Sequence, residues 1–259
     1  GACDSAMVHL LRASEIFPGH VSAHINMGAC QKELGDLRAA KLSYETALRL
    51  DGASPSAHAG LAAVLVSMGR DSAAMGHLLV AARLDARSWR HLNSIGVEML
   101  EAGFVDSAQA MFERAAKLAP GAWSPRNNVG MAELRRGRPR QAMPHFRRAV
   151  DLEPSAWKPY SNLGLALMEL RRCPEARDFF AHAARLAPRA LEPRYNRGLA
   201  FVCLGVPDSA VAELRRALSL VPENRLVHEE LAEVFRSTGQ ADSAAVHASE
   251  AARLRGRGP

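Results

Sequence analysis

His20 and His24 stand one helical turn apart and could present two imidazoles to a zinc ion. No H-E-x-x-H stretch, nearby carboxylate or third ligand completes a site. The other histidines recur at multiples of 34 residues: His9, His77, His145 and His247 share one phase, and His24, His58 and His228 share another. Side chains repeated in that way are scaffold, so no metal is expected. Cys3, Cys30, Cys173 and Cys203 are scattered without a C-x-x-C pair, which leaves neither a disulfide framework nor a zinc knuckle, and none is positioned with a supporting His as a nucleophile. The phosphate-cradling patterns G-x-G-x-x-G and G-x-x-x-x-G-K-S/T and the serine-hydrolase pattern G-x-S-x-G are absent. A catalytic residue is needed once, whereas nearly every polar residue here has a counterpart elsewhere in the chain. We therefore expect no catalytic residue, no cofactor and no enzyme activity.

What would position such side chains follows from composition and then from periodicity. The chain has 259 residues, 48% hydrophobic, 5% aromatic and 23% charged, enough apolar material for a buried core and too much for a disordered polymer. The best apolar run, Leu61 to Val66, is far short of the roughly 18 residues of a membrane span. Arg far outnumbers Lys, which is confined to Lys32, Lys41, Lys117 and Lys158; with the Ala content this suggests a GC-rich bacterial genome. The compartment stays open, with the cytoplasm placed ahead of the periplasm. Gly1-Ala2-Cys3-Asp4 resembles a lipoprotein cleavage site, but the repeat frame accounts for the same residues better.

That frame is 34 residues long and never slips. With position 1 at Val21, Pro55, Trp89, Trp123, Trp157, Leu191 and Arg225, position 20 is Ala eight times, from Ala6 to Ala244, and position 27 is Ala eight times, from Ala13 to Ala251. Position 8 is always small: Gly28, Ala62, Gly96, Gly130, Gly164, Gly198 and Ala232. Small residues at these positions let two antiparallel helices approach closely, with Phe112, Phe146 and Phe180 at position 24 filling the space beside them. Gly at position 15 is expected to end the first helix, A, in a left-handed turn. Asp106, Asp208 and Asp242 are expected to cap the second, B. Pro120, Pro154, Pro188 and Pro222 then stop B. We expect the second helix of a truncated repeat over 1–20, with Gly1 as its turn glycine, and full repeats over 21–54, 55–88, 89–122, 123–156, 157–190, 191–224 and 225–258, together one continuous domain. A start in mid-repeat and an end without a polar capping helix suggest a fragment of a longer protein, or ends that pack on something else.

At these residues the sequence resembles the tetratricopeptide repeat family. The match is cleanest in WKPYSNLGLALMELRRCPEARDFFAHAARLAP, where Tyr160, Leu163, Gly164, Ala176, Phe180, Ala183 and Pro188 follow the family pattern. Arg126 and Arg194 at position 4, Arg197 at apolar position 7 and Arg171 in place of the turn glycine depart from it. The resemblance covers essentially the whole chain and implies an all-α solenoid of helix-turn-helix repeats coiled as a right-handed superhelix, whose concave wall is made by helix A.

Positions 2, 5, 6, 9, 12 and 13 would face that groove. Asn128, Asn162 and Asn196 at position 6 would form a ladder, joined by Asn127, whose amides can donate to and accept from a peptide backbone at once. The glycosyltransferases that attach O-linked N-acetylglucosamine use a similar ladder, as the resemblance implies. Met131, Leu134, Leu165, Met168, Leu199 and Val202 add an apolar stripe beside it. The alternative for the asparagines is local bonding, and for the stripe, packing against the neighbouring repeat. The two-carboxylate clamp of chaperone-binding members is absent. Residues 123–156 carry seven Arg against three acids and residues 157–190 six Lys or Arg against three, an excess of seven positive charges in a chain of net charge +6. Arg136, Arg138, Arg140, Arg171 and Arg172 place this excess on an edge outside the groove, open to an acidic protein or anionic lipid surface. Nucleic acid is disfavoured because no aromatic residues interleave with the arginines. The expected function is a scaffold or adaptor that binds a peptide or protein segment. The alternative is the substrate-recruiting arm of a larger enzyme, a glycosyltransferase or hydrolase, with its catalytic domain outside this chain.

Overall fold

The computed structural model describes residues 2–255, all of it helix and connecting turn. Among these residues, helix α1 (Ala2–Ile16) is followed by seven helix pairs. These are α2 (Val21–Glu33) with α3 (Leu37–Leu50), α4 (Pro55–Ser67) with α5 (Asp71–Leu84), α6 (Trp89–Glu101) with α7 (Val105–Leu118), and α8 (Trp123–Arg135) with α9 (Pro139–Leu152). The series ends with α10 (Trp157–Glu169) and α11 (Cys173–Leu186), α12 (Leu191–Cys203) and α13 (Pro207–Leu220), and α14 (Arg225–Ser237) and α15 (Ala241–Arg255). No helix is long and apolar enough to cross a membrane among the described residues. The chain divides into two compact units, Gly1–Asn128 and Val129–Pro259. Gly1 and the four residues after Arg255 lie outside the described residues, and with them the reading of Gly1 as a turn glycine.

The pairs are held by one contact used repeatedly. A Cβ added at Gly96 would lie 2.5 Å from Cε1 of Phe112, and Gly130 and Gly164 stand in the same relation to Phe146 and Phe180. Each ring therefore lies flat against bare backbone of the helix before it. All three rings are completely buried, as are Leu78 and Leu214 at the same position. The alanines of positions 20 and 27, such as Ala142 and Ala149, are buried too, which is what lets the two axes come close. In the second unit, Phe146 and Phe180 join Leu163, Leu167 and Ala200 in one apolar cluster, and Leu214, Val227, Leu231 and Phe235 form another.

Helix A ends where position 15 turns left-handed, with φ of +83° at Gly103 and +70° at Gly205. Arg171, in the corresponding place, adopts the same conformation at φ +59°, a strained geometry for a side chain with a Cβ. Helix B ends two residues before the prolines, at Leu118, Leu152, Leu186 and Leu220. The expected caps need correction. The N-caps of α7 and α13 are Phe104 and Val206, neither with a side-chain capping bond, and Asp106 and Asp208 fall inside the first turn. Asp242 likewise sits in the first turn of α15. Helix B starts earlier than the Asp-Ser-Ala run suggests, and these carboxylates face the positive end of the helix dipole.

Arg197, out of place at an apolar position, is answered by Glu213 at the position where other repeats carry His; its Nη1 lies 3.5 Å from Glu213 Oε1 and its guanidinium 5.5 Å above the Phe201 ring. The cysteine reading also needs correction, because Cys173 and Cys203 form a disulfide. They open α11 and close α12, and these consecutive antiparallel helices bring the two ends together although 30 residues separate them in sequence. Cys3 and Cys30 are free thiols, and Cys3 donates to Glu33 Oε2 at 2.8 Å.

The recurrent histidines are helix-to-helix ties. His58 Nδ1 lies 2.9 Å from His77 Nδ1 and His228 Nδ1 2.9 Å from His247 Nδ1, while Nε2 of His58 and of His228 meets the carbonyl of Gly52 and of Pro222. Each Nδ1–Nδ1 contact needs one ring to donate and the other to accept, so the two imidazoles of a pair cannot both be protonated without losing it. Burial and the neighbouring imidazole hold His77 and His247 below the ordinary histidine value of 6.5. Glu45 opposes the shift at His77, and Arg215 reinforces it at His247.

Two outcomes follow for the fold. Gly164→Ala should cost about 1–3 kcal/mol in urea unfolding. Adding Phe180→Leu should recover part of the loss, because the chain itself pairs Ala62 with Leu78 at these positions. The unfolded chain takes up protons at these histidines more readily than the folded one, so stability should fall as pH drops below about 6.5. Urea midpoints for wild type and His77→Met/His247→Met should converge toward pH 5 relative to pH 7.5.

Candidate functional site

The first helices position the expected groove residues differently in the two units. In the first, Asn127 Nδ2 donates to Asn128 Oδ1 at 3.2 Å and Asn128 Nδ2 to Asn93 Oδ1 at 2.9 Å, a chain of amides from α8 to α6. In the second, Asn162 and Asn196 are only 7% and 6% exposed. Asn196 Nδ2 donates to Ser161 Oγ at 3.4 Å, and Ser161 Oγ donates to Glu192 Oε1 at 3.2 Å, tying α12 to α10. The Asn128 and Asn196 amides thus bond to neighbouring helices. Of the apolar stripe, Leu134 is buried; Met131, Leu165 and Met168 are half-buried against the core, and Leu199 is half-buried as well. Val202 is 40% exposed.

An open part of the helix A face lies away from the asparagine ladder and the apolar stripe. A cavity of about 650 Å³ in the first unit is floored by Ala29, Ala59, Gly60 and Ala63, with Lys32, Arg90 and Glu98 on its walls. All of these except Glu98 occupy positions expected to face the groove, but the small side chains leave space there. Gly60 is required because the Tyr44 ring fills the place where its Cβ would stand. Burial, and then the Glu98 charge, pushes the Tyr44 hydroxyl up to about 12, and burial raises the Glu98 carboxyl above its ordinary range. A signal was available in the run of Ala and Gly at positions 5, 6 and 9.

The basic edge is partly neutralised. Arg136 and Arg138 pair with Glu133 at 3.3 and 3.6 Å, and Arg172 forms a two-pronged bond with Glu175 at 2.7 and 2.5 Å. Arg171 lies exposed in its turn, and Arg140 is exposed in the first turn of α9. His20 and His24 serve their own helix: His20 Nδ1 accepts from the Ala23 amide as the N-cap of α2, and His24 Nε2 meets the Pro18 carbonyl. No group of three potential metal ligands comes together among the described residues.

Family models described as tetratricopeptide repeat match residues 21–54, 95–151, 128–190 and 195–259. The chain belongs to the tetratricopeptide repeat family. Solved structures share the fold. A tetratricopeptide repeat protein from Parabacteroides merdae superposes with a TM-score of 0.72 at 16% identity over 90% of this chain and 92% of its own. Pseudomonas aeruginosa pilF gives 0.58 at 22% identity, with 90% and 100% covered. A chain of the APC/C hetero-tetramer Cut9–Hcn1 gives 0.65 at 17% identity, with 90% of this chain covered but only 46% of that one, so this chain spans under half its length. No curated protein matches the sequence. As a tetratricopeptide repeat protein, the chain is a protein-interaction scaffold.

Because the ladder amides hold helices together, Asn196→Ala should lower stability by about 1–3 kcal/mol, the cost of unpairing buried polar groups. Val202→Ser on the exposed stripe should change it by less than about 0.5 kcal/mol. Urea melts of the two variants check the contrast.

Proposed function

We propose that this scaffold holds a peptide or protein segment on the helix A face and performs no chemistry on it. The open cavity of the first unit is the observation that carries this reading: about 650 Å³, a size that admits side chains of a partner, with small residues that let a backbone approach closely. Ser56, Ser88 and Ser94 line it with hydroxyls able to meet backbone groups, while Lys32, Arg90 and Glu98 offer charges of both signs. In the second unit, half-buried Met131, Leu165, Met168 and Leu199 and exposed Val202 offer a mainly apolar surface, with Asn162 and Asn196 behind it. Asn128, beside Asn127, is half-buried. The Cut9–Hcn1 assembly, in which a similar fold occurs in a complex, supports a protein as the partner.

Panning a phage-displayed library of random peptides on the intact chain tests the proposal. Enriched peptides should bind Ser94→Trp, which fills the first cavity, or Val202→Asp, which charges the apolar stripe, at least tenfold more weakly than wild type, with helicity unchanged. Enrichment no better than on a denatured control, or peptides indifferent to both variants, would overturn it.

A further inference from the structure

A second cavity, of about 340 Å³, lies in the second unit between the start of α9 and the turn leading into α11. Three arginines, Arg140, Arg147 and Arg172, line it together with Met143, Pro144 and Leu170. We propose that this cavity binds a phosphate monoester: one dianionic group carried on a small organic body.

The repeats supply an internal control for the charge. The three arginines occupy position 18, position 25 and position 16 of the next repeat. The equivalent trios elsewhere read Asp4, Leu11 and Asp36; Arg38, Glu45 and Arg70; Ser72, Leu79 and Phe104; Asp106, Glu113 and Arg138; Pro174, Ala181 and Val206; and Asp208, Arg215 and Gln240. Nothing in the helical framework requires a cation at these places, and only here are all three basic. Position 18 is also where Asp4, Asp106, Asp208 and Asp242 put a negative charge near the positive end of helix B. Arg140 reverses that sign and thereby adds to the positive potential of the cavity.

Charge balance selects the ligand. Glu175 already neutralises Arg172 through Nε and Nη2. Arg140 and Arg147 make no ion pair or hydrogen bond among the described residues. Two uncompensated positive charges match one phosphate monoester, which carries about −1.5 to −2 at neutral pH and accepts the planar forks of arginine in pairs. A carboxylate would supply half that charge. A cavity near the lower end of ligand-pocket volumes, roughly 300–1,000 Å³, has room for one small group, whereas a membrane or a nucleic-acid backbone would call for cations spread over a surface. The side chains of Met143 and Leu170 and the Pro144 ring give the carbon body an apolar contact that inorganic phosphate could not use.

Calorimetric titration of the intact chain at low ionic strength tests the assignment. The probes are N-acetyl-phosphoserine amide for a protein-borne phosphate, glycerol 3-phosphate for a free one, inorganic phosphate, and N-acetylglutamate amide. At least one monoester should bind tenfold or more tightly than inorganic phosphate and glutamate amide; whichever monoester is preferred sustains the assignment and identifies the source. Arg140→Ala/Arg147→Ala should weaken that binding at least tenfold, and exposed Arg148→Ala/Arg189→Ala less than twofold, with unchanged circular dichroism in both. Inorganic phosphate binding as tightly as the monoesters, equal losses in the two double variants, or binding only to vesicles of phosphatidic acid would overturn the proposal.

Discussion

An aromatic ring laid against a helix backbone that carries no Cβ is the contact on which this structure depends. The helices are 13 to 15 residues long, near the length at which an isolated helix is marginal in water, so each must gain its stability from its neighbours. Burying a phenylalanine contributes roughly 1.5–3 kcal/mol, but only if the opposing surface comes within van der Waals distance. Glycine at position 8 allows that approach for Phe112, Phe146 and Phe180, and the buried alanines of positions 20 and 27 keep the rest of the interface equally thin.

This packing requirement is also why the fold could be read from the residues. A constraint met with similar side chains from repeat to repeat leaves a periodic trace, and the glycine turns and terminating prolines fall in phase with it. What left no such trace depended on spatial adjacency. Cys173 and Cys203 look unrelated until the antiparallel course of α11 and α12 sets the start of one beside the end of the other. Arg197 looks misplaced until Glu213 is seen across the helix pair. The Asp-Ser-Ala runs misled because a carboxylate one or two residues inside a helix satisfies its dipole without capping it.

The candidate site was legible as a set of positions and less so as a surface. Identity at position 6 does not reveal how deeply an asparagine sits: Asn162 and Asn196 are both buried, and Asn196 bonds across to α10. Alanine and glycine at Ala59 and Gly60 read as more close packing, yet the volume they leave on the helix A face stays open because only part of it is filled, by Tyr44. The same six positions therefore build an open polar recess in one unit and a filled, mainly apolar surface in the other. Side-chain volume, laid over one unchanging frame, sets that difference.

Since Phe112, Phe146 and Phe180 each cover a glycine of their own 34-residue block, these blocks bring their own lock and key. Duplicating or excising one whole block would leave the internal fit of all the others intact, whereas an insertion of one residue between the two helices would separate ring from glycine. Arrays of this kind can thus lengthen or shorten through recombination in whole steps, and their reach toward partners can evolve without a new solution to the folding problem.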